Sequence, residues 1–174
     1  MASSLSRTSS PIQISASVSE VGPNSFTAEE IDLTLNALDQ EVFIVTQVNI
    51  DCDLPDPSAN PGQYQVNASV STTKRATVGG MGNSNVVASA RNETLTAASV
   101  GGEFSCVSFS REDPLFSPTT EDYIGIIATN NCFLNIQGLG NTNPKSAQVR
   151  IYGYRAKASA SVYAALVQSE LLSA

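Results

Sequence analysis

Between Asp122 and Lys157, three short apolar runs, DYIGIIAT, NCFLNIQGLG and KSAQVRIYGYRAK, are separated by Asn, Gly and Pro. Each run has the length of a strand, and the residues between them are those that reverse a chain. This is the pattern of consecutive antiparallel strands, and the upstream chain repeats it. Ile12, Ile14, Ala16 and Val18 alternate with Gln13, Ser15, Ser17 and Ser19, a period of two that leaves one face wet. Ile31, Leu33 and Leu35 alternate in the same way with Asp32, Thr34 and Asn36. The TAEE that opens this segment at Thr27 is also a helix-start signal of capping-box type, but the alternation that follows favours a strand.

The longest β-favouring run is EVFIVTQVNIDCD, Glu41 to Asp53. Its consecutive Val42, Phe43, Ile44 and Val45 call for burial on both faces, and alternation resumes at Val48 and Ile50. LPDPSANPG then ends the strand, since proline cannot extend a central ladder. Gln63 to Thr73 alternates through Tyr64, Val66, Ala68 and Val70, and Gly79, Gly80 and Gly82 mark a loop. Two more strands are expected at Asn85 to Thr96 and Glu103 to Ser110, the second with Phe104, Cys106 and either Val107 or Phe109 turned inward. REDPLFSPTTED reads as a long polar connection.

After Lys157 the period changes. Val162, Tyr163, Leu166, Val167 and Leu171 recur at spacings of three and four, with Ser159 or Ser161 as N-cap, which predicts a short C-terminal helix. With one apolar face, it is expected to lie against a sheet edge or a neighbouring subunit. Eight or nine strands without intervening helices exclude a doubly wound α/β fold. The expected class is all-β, an antiparallel β-sandwich of jelly-roll type with about eight strands. The chain divides into a flexible Ser-rich arm (1–10), the sandwich (11–158) and the helical segment (159–174).

Chemistry is constrained mainly by what the sequence lacks. It has no His, so nucleophilic catalysis through an imidazole base and Cys/His zinc sites are both closed. No enzyme activity and no cofactor are expected. Three widely separated cysteines, Cys52, Cys106 and Cys132, read as buried free thiols, with a disulfide between two of them as the alternative. In DCDLPD, Asp51, Asp53 and Asp56 place three carboxylates at a strand-to-loop junction, a candidate structural Ca²⁺ site set against a solvated acidic loop. GGMGNSN at 79–85 lacks the Lys of a phosphate-binding loop and reads as a hairpin loop. Nine Lys and Arg against a net charge of −7 argue against direct nucleic-acid binding. No apolar run is long enough for a transmembrane segment, and MASSLSRTSS lacks the apolar core of a signal peptide.

Charge is sparse and lopsided. Charged residues are 14% of the chain, where about 25% is usual, a composition suited to packing beside copies of itself. From Glu20 to Asp56 there are nine acidic residues and no basic one; from Tyr123 to Ser169 there are Lys145, Arg150, Arg155 and Lys157 and no acidic one. These four cations are the expected basic side of a subunit contact. Mutual neutralisation within one subunit is the alternative.

FLNIQGLGNTNPKSAQVRIYG followed by YGYRAKASASVYAALVQSELLSA resembles the C-terminal end of single jelly-roll viral capsid proteins. The shared pattern is a late hairpin with a Gly-Asn-rich turn, a strand of RIYGYR type and a short terminal segment. The resemblance implies a shell-forming subunit whose partners are copies of itself and other capsid proteins. It would be made in the host cytoplasm and located in the virion. The chain departs from capsids with long basic arms, so genome contact would fall to another component. A ligand-binding sandwich, such as a carbohydrate-binding or receptor-binding tail-fibre domain, and a cement or filament subunit are the alternatives.

Overall fold

The computed structural model describes residues 5–56, 60–98, 104–113 and 123–172. Among them the chain forms β1 (Leu5–Arg7), β2 (Ile12–Ser19), β3 (Thr27–Asp32), β4 (Glu41–Cys52) and β5 (Gly62–Ser71). It continues through β6 (Val86–Ala98), β7 (Phe104–Asp113), β8 (Gly125–Ile127), β9 (Asn131–Leu139) and β10 (Ser146–Ala158) to the helix α1 (Ala160–Leu172).

The pairings are antiparallel and nested. β5 pairs with its neighbour β6, β4 reaches past them to β8, β3 to β9 and β2 to β10. The chain is thus one long antiparallel ribbon, and β10 with β4 and β9 with β5 seam it once it has rolled up. Successive rungs fall in alternate layers. One sheet runs β2-β10-β4-β8, with β1 also on β10, and the other runs β3-β9-β5-β6-β7. This is the double-sheet jelly roll that the strand spacing predicts.

Between the layers lie Phe43, Val45, Val48 and Ile50 from β4, Val66, Ala68 and Val70 from β5, Leu134 and Ile136 from β9, and Val149 and Ile151 from β10. The inward residues of β4 are odd-numbered up to Val45 and even-numbered from Val48, a change of phase that a regular strand cannot make. A β-bulge provides it. Tyr152 and Gly153 are consecutive on β10 but pair with Gln47 and Val45, leaving Thr46 as the extra residue, with its hydroxyl donating to Tyr152 O at 3.1 Å.

Val42 and Ile44 point out of the sandwich, where α1 covers them. Val162, Tyr163, Leu166 and Val167 pack on Val42, Ile44, Ala156 and Ala158. Burying Val42 and Ile44 contributes about 1.5–3 kcal/mol each. A helix of this length is marginal alone, so docking is what orders it. Ser159 precedes the first turn and its carbonyl accepts Tyr163 N–H at 2.9 Å. The helix therefore lies on a sheet face within its own subunit, not at a sheet edge. Leu171, expected on the apolar side, is 64% exposed, and Glu170 is turned inward instead.

Two further expectations are corrected. Leu5–Arg7, placed in the flexible arm, pairs with Ala156–Ala158, and the Arg7 guanidinium lies 4.5 Å from the centre of the Tyr154 ring. On β7 the described side chains, Ser105 to Glu112, are exposed, so Cys106, Val107 and Phe109 do not enter the core. β7 lies beyond β6 at the end of its sheet. The expected Glu103 and most of the REDPLFSPTTED connection lie outside the described residues.

The bulge fixes Gly153. A Cβ there would sit 2.1 Å from Ile44 O and 2.7 Å from the Phe43 ring, both in the packed centre. Gly153→Ala is expected to cost at least about 1–3 kcal/mol of unfolding free energy by urea titration. Gly80→Ala, where no atom lies within 4 Å of the added methyl, is expected to leave the midpoint nearly unchanged.

Candidate functional site

Three of the acidic and basic residues singled out in the sequence, Asp53, Asp56 and Lys145, meet at one end of the sandwich, where the loops after β2, β4 and β9 come together. Asp56 Oδ2 accepts Thr142 N at 2.9 Å, Thr142 Oγ1 at 2.8 Å and Asn143 N at 2.8 Å, while Oδ1 binds the Lys145 ammonium. Asp53 Oδ2 accepts Ser146 N at 2.7 Å. Glu20, buried at the end of β2, accepts Gly138 N at 2.6 Å and Lys145 N at 2.9 Å. Asn141 completes the junction by donating to Gln65 O and accepting from Asp56 N, 2.8 and 2.9 Å.

The three carboxylates of the expected cation site do not converge on one point. Asp56 spends both oxygens on Lys145 and on the Thr142 and Asn143 donors, Asp53 turns Oδ2 to Ser146 N–H, and Asp51 is exposed on β4 opposite Gln148. Among the described residues no group of three or more acidic, Cys or His side chains is placed to hold a metal ion. Lys145 does the stapling that a calcium ion does in other sandwich loops.

The expected subunit-contact cations separate into two kinds. Lys145 is buried and ion-paired with Asp56. Arg155 is half-buried and its guanidinium donates to Leu33 O at 3.1 Å and to Thr34 Oγ1. Both act inside the subunit. Arg150 and Lys157 are exposed. Part of the lopsided charge meets within the subunit, since Lys145 pairs with Asp56 and β10 lies beside β4 with Lys157 opposite Glu41.

The half of the β2-β10-β4 face that α1 leaves open is polar. Rows such as Ser15, Arg150 and Asn49, or Ser17, Gln148 and Asp51, cross it. An open cleft of about 760 Å³ lies here, reached also by Glu112 from the end of β7. A smaller cleft of about 350 Å³ lies on the outer face of the other sheet. Arg91 of β6 stands directly opposite Arg111 of β7 there, beneath Gly79 and Gly80. Arg91 donates to Asn67 Oδ1 at 2.8 Å and lies 3.7 Å from Glu93.

The three cysteines are free thiols. Cys52 and Cys132 are buried, and burial pushes both thiols up to about 12, helped by Asp51 beside the first and Glu170 near the second. Neither ionises near neutral pH, so neither is a reactive nucleophile. Cys106, expected to be buried, is exposed on β7.

Sequence reasoning missed Glu20 and Glu170, each a carboxylate aimed at backbone N–H groups from a neighbouring loop. Glu170 accepts Ala128 N at 2.8 Å and Thr129 N at 3.0 Å, tying α1 to the turn between β8 and β9. Glu20 carries one available signal, since it continues the inward phase of β2 set by Val18. No protein-family model matches this chain, and no curated protein matches it.

The Lys145 ammonium, reinforced by the Thr142 and Asn143 donors, holds the Asp56 carboxyl well below the usual carboxylate range. A depressed folded-state pKa means that the native state binds fewer protons than the unfolded chain. The contribution is then complete above the unfolded value of about 3.9 and is lost as pH falls below it. Asp56→Asn is expected to lower unfolding free energy at pH 7 by about 1–3 kcal/mol. It should also flatten the fall in stability between pH 4 and pH 2, measured by thermal melts across that range. A variant as steep as the parent would assign the acid sensitivity to other groups.

Proposed function

We propose that this chain is a structural virion protein, a capsid subunit that assembles with copies of itself into an icosahedral shell, alone or with other capsid proteins. The observation that carries the reading is the nested double-sheet roll, closed at its loop end by an internal ion pair and hydrogen bonds, with broad faces of low charge. A block of this kind presents stable faces to its neighbours without needing a ligand to order its loops. The jelly roll is shared by capsid proteins, lectins and cupins, so fold alone does not choose among them. The larger cleft favours the shell over sugar binding, because none of the described residues that line it is an aromatic for a sugar ring to stack on.

The proposal places the protein in the virion, with genome contact made by another component. Its electrostatic part now rests on Arg150 and Lys157, the two exposed cations of β10. Electron microscopy and native mass measurement on concentrated protein test it: particles or capsomers are expected, and a strictly monomeric species at every salt concentration and pH contradicts it. A glycan array separates out the sugar-binding alternative. Addition to preformed shells separates out the cement subunit.

The two arginines of β10 should behave differently. Arg150→Glu is expected to weaken assembly at least tenfold in light-scattering assays while leaving the melting temperature unchanged. Arg155→Glu is expected to lower the melting temperature, because it removes the donor to Leu33 O at the end of the core. Unchanged assembly with Arg150→Glu would remove this cation from the contact.

A further inference from the structure

The four lateral edges of the two sheets are not equally protected. β3 carries Glu29, Glu30 and Asp32, so a copy of itself would be repelled. β8 is three residues long, and the β1/β2 edge is interrupted by Pro11 between its two pieces. β7 has ten residues, no Pro and no Lys, and pairs on one side with β6. Natural sheets use charge, shortness, proline or a covering segment to keep edges from pairing. Among the described residues β7 shows none of these along Phe104 to Ser110.

Its outward face is also apolar at the centre. Val107 and Phe109 are 54% and 55% exposed, and Leu95, opposite Val107 on β6, is 42% exposed. These side chains lie on the outer surface of the sheet, away from the core. About half of the β7 backbone N–H and C=O groups point away from β6.

We propose that β7 pairs antiparallel with β7 of a second copy across a two-fold axis at Ser108, joining two β3-β9-β5-β6-β7 sheets into one continuous ten-stranded sheet. The sequence of β7 selects this register. A two-fold axis normal to the sheet keeps outward residues opposite outward residues. Centring on Ser108 sets Val107 against Phe109 of the second copy, and Phe109 against its Val107. Arg111 then faces Ser105, and Cys106 faces Ser110. Centring on Phe109 sets Val107 against Arg111, and centring on Arg111 sets like charges together. Centring on Val107 leaves each Phe109 against Ser105. The Ser108 register joins the apolar side chains in cross-strand pairs and, among the described residues, brings no like charges together.

A strand-to-strand contact of this length buries less than the roughly 800 Å² per partner of a standard stable interface. The dimer is therefore reversible, and it gains weight where many contacts act at once. The contact deepens the assembly reading above and rests on it for its biological role, while the pairing itself is testable apart from any particle.

Sedimentation velocity of the full chain across a hundredfold concentration range should show a reversible monomer–dimer equilibrium. The double variant Val107→Lys/Phe109→Lys should weaken it at least tenfold with an unchanged melting temperature. A parent that stays monomeric, or a variant that dimerises equally well, overturns the proposal. The register is tested by Cys106→Ser/Ser108→Cys and Cys106→Ser/Ser105→Cys, each treated with oxidised glutathione as the two-electron acceptor. Disulfide-linked dimer should form with the first and not with the second, and equal or reversed yields overturn the Ser108 axis. Particles that form normally from the Lys variant would reject this contact and keep the shell. Dimers without particles would keep the contact and reject the shell.

Discussion

Four consecutive apolar residues, Val42 to Val45, cannot be buried by one layer, because successive side chains leave a strand on opposite faces. Phe43 and Val45 face the other sheet, and Val42 and Ile44 face α1. The rest of the architecture follows from covering both sides of this one segment. β10 and β8 flank it in the plane of its own sheet, so the strand is enclosed on every side over its first half. Its second half, from Val48, needs only the inner layer, and its outer residues Gln47, Asn49 and Asp51 are polar. The boundary between the two halves is the Thr46 bulge, and the terminal helix ends its coverage near that boundary.

The same division sorts the molecule by role. Where α1 lies, β10 turns Tyr154, Ala156 and Ala158 toward it, and β1 adds Leu5 beside them. Where α1 is absent, β10 presents Gln148, Arg150 and Tyr152 on an open polar face. At the loop end, buried polar side chains take the place of apolar packing. Glu20, Asn141 and Lys145 are all nearly inaccessible, and their hydrogen bonds and ion pair offset the cost of removing them from water. The proposed contacts lie on what remains: the open face around Arg150 and the free edge of β7.

Much of the fold was legible because alternation and turn residues are local signals. The strands at Ile12, Glu41, Gln63 and Asn131 stand where the sequence places them, but the alternation at Ile31 to Asn36 misplaced its strand, which runs over Thr27–Asp32 and ends before Thr34 takes a positive φ of 51°. VFIV called for a second layer. Its identity could not be read, since a helix with one apolar face does not specify which surface it meets. Cys106, Val107 and Phe109 misled because a β-favouring sequence does not distinguish an edge strand beyond the opposing layer from one inside it. Asn135 carried no signal in the sequence, yet it is fully buried and donates to Ser69 O and Ser71 Oγ on the neighbouring strand β5. For the candidate site, the acidic and basic segments were visible, but their pairing across 89 residues between Asp56 and Lys145 is a product of the roll.

The central claim is that the first half of β4 is sealed from water by the core on one face and by α1 on the other. Residue-resolved hydrogen exchange, at a concentration where the chain is monomeric, tests it most directly. Amides of Val42 to Val45 should exchange as slowly as those of Val66 to Val70 in the centre of the other sheet, and far more slowly than those of β7. Exchange of Val42 to Val45 at the rate of the β7 edge, with Val66 to Val70 still protected, would show that α1 does not hold this face closed and would contradict the claim.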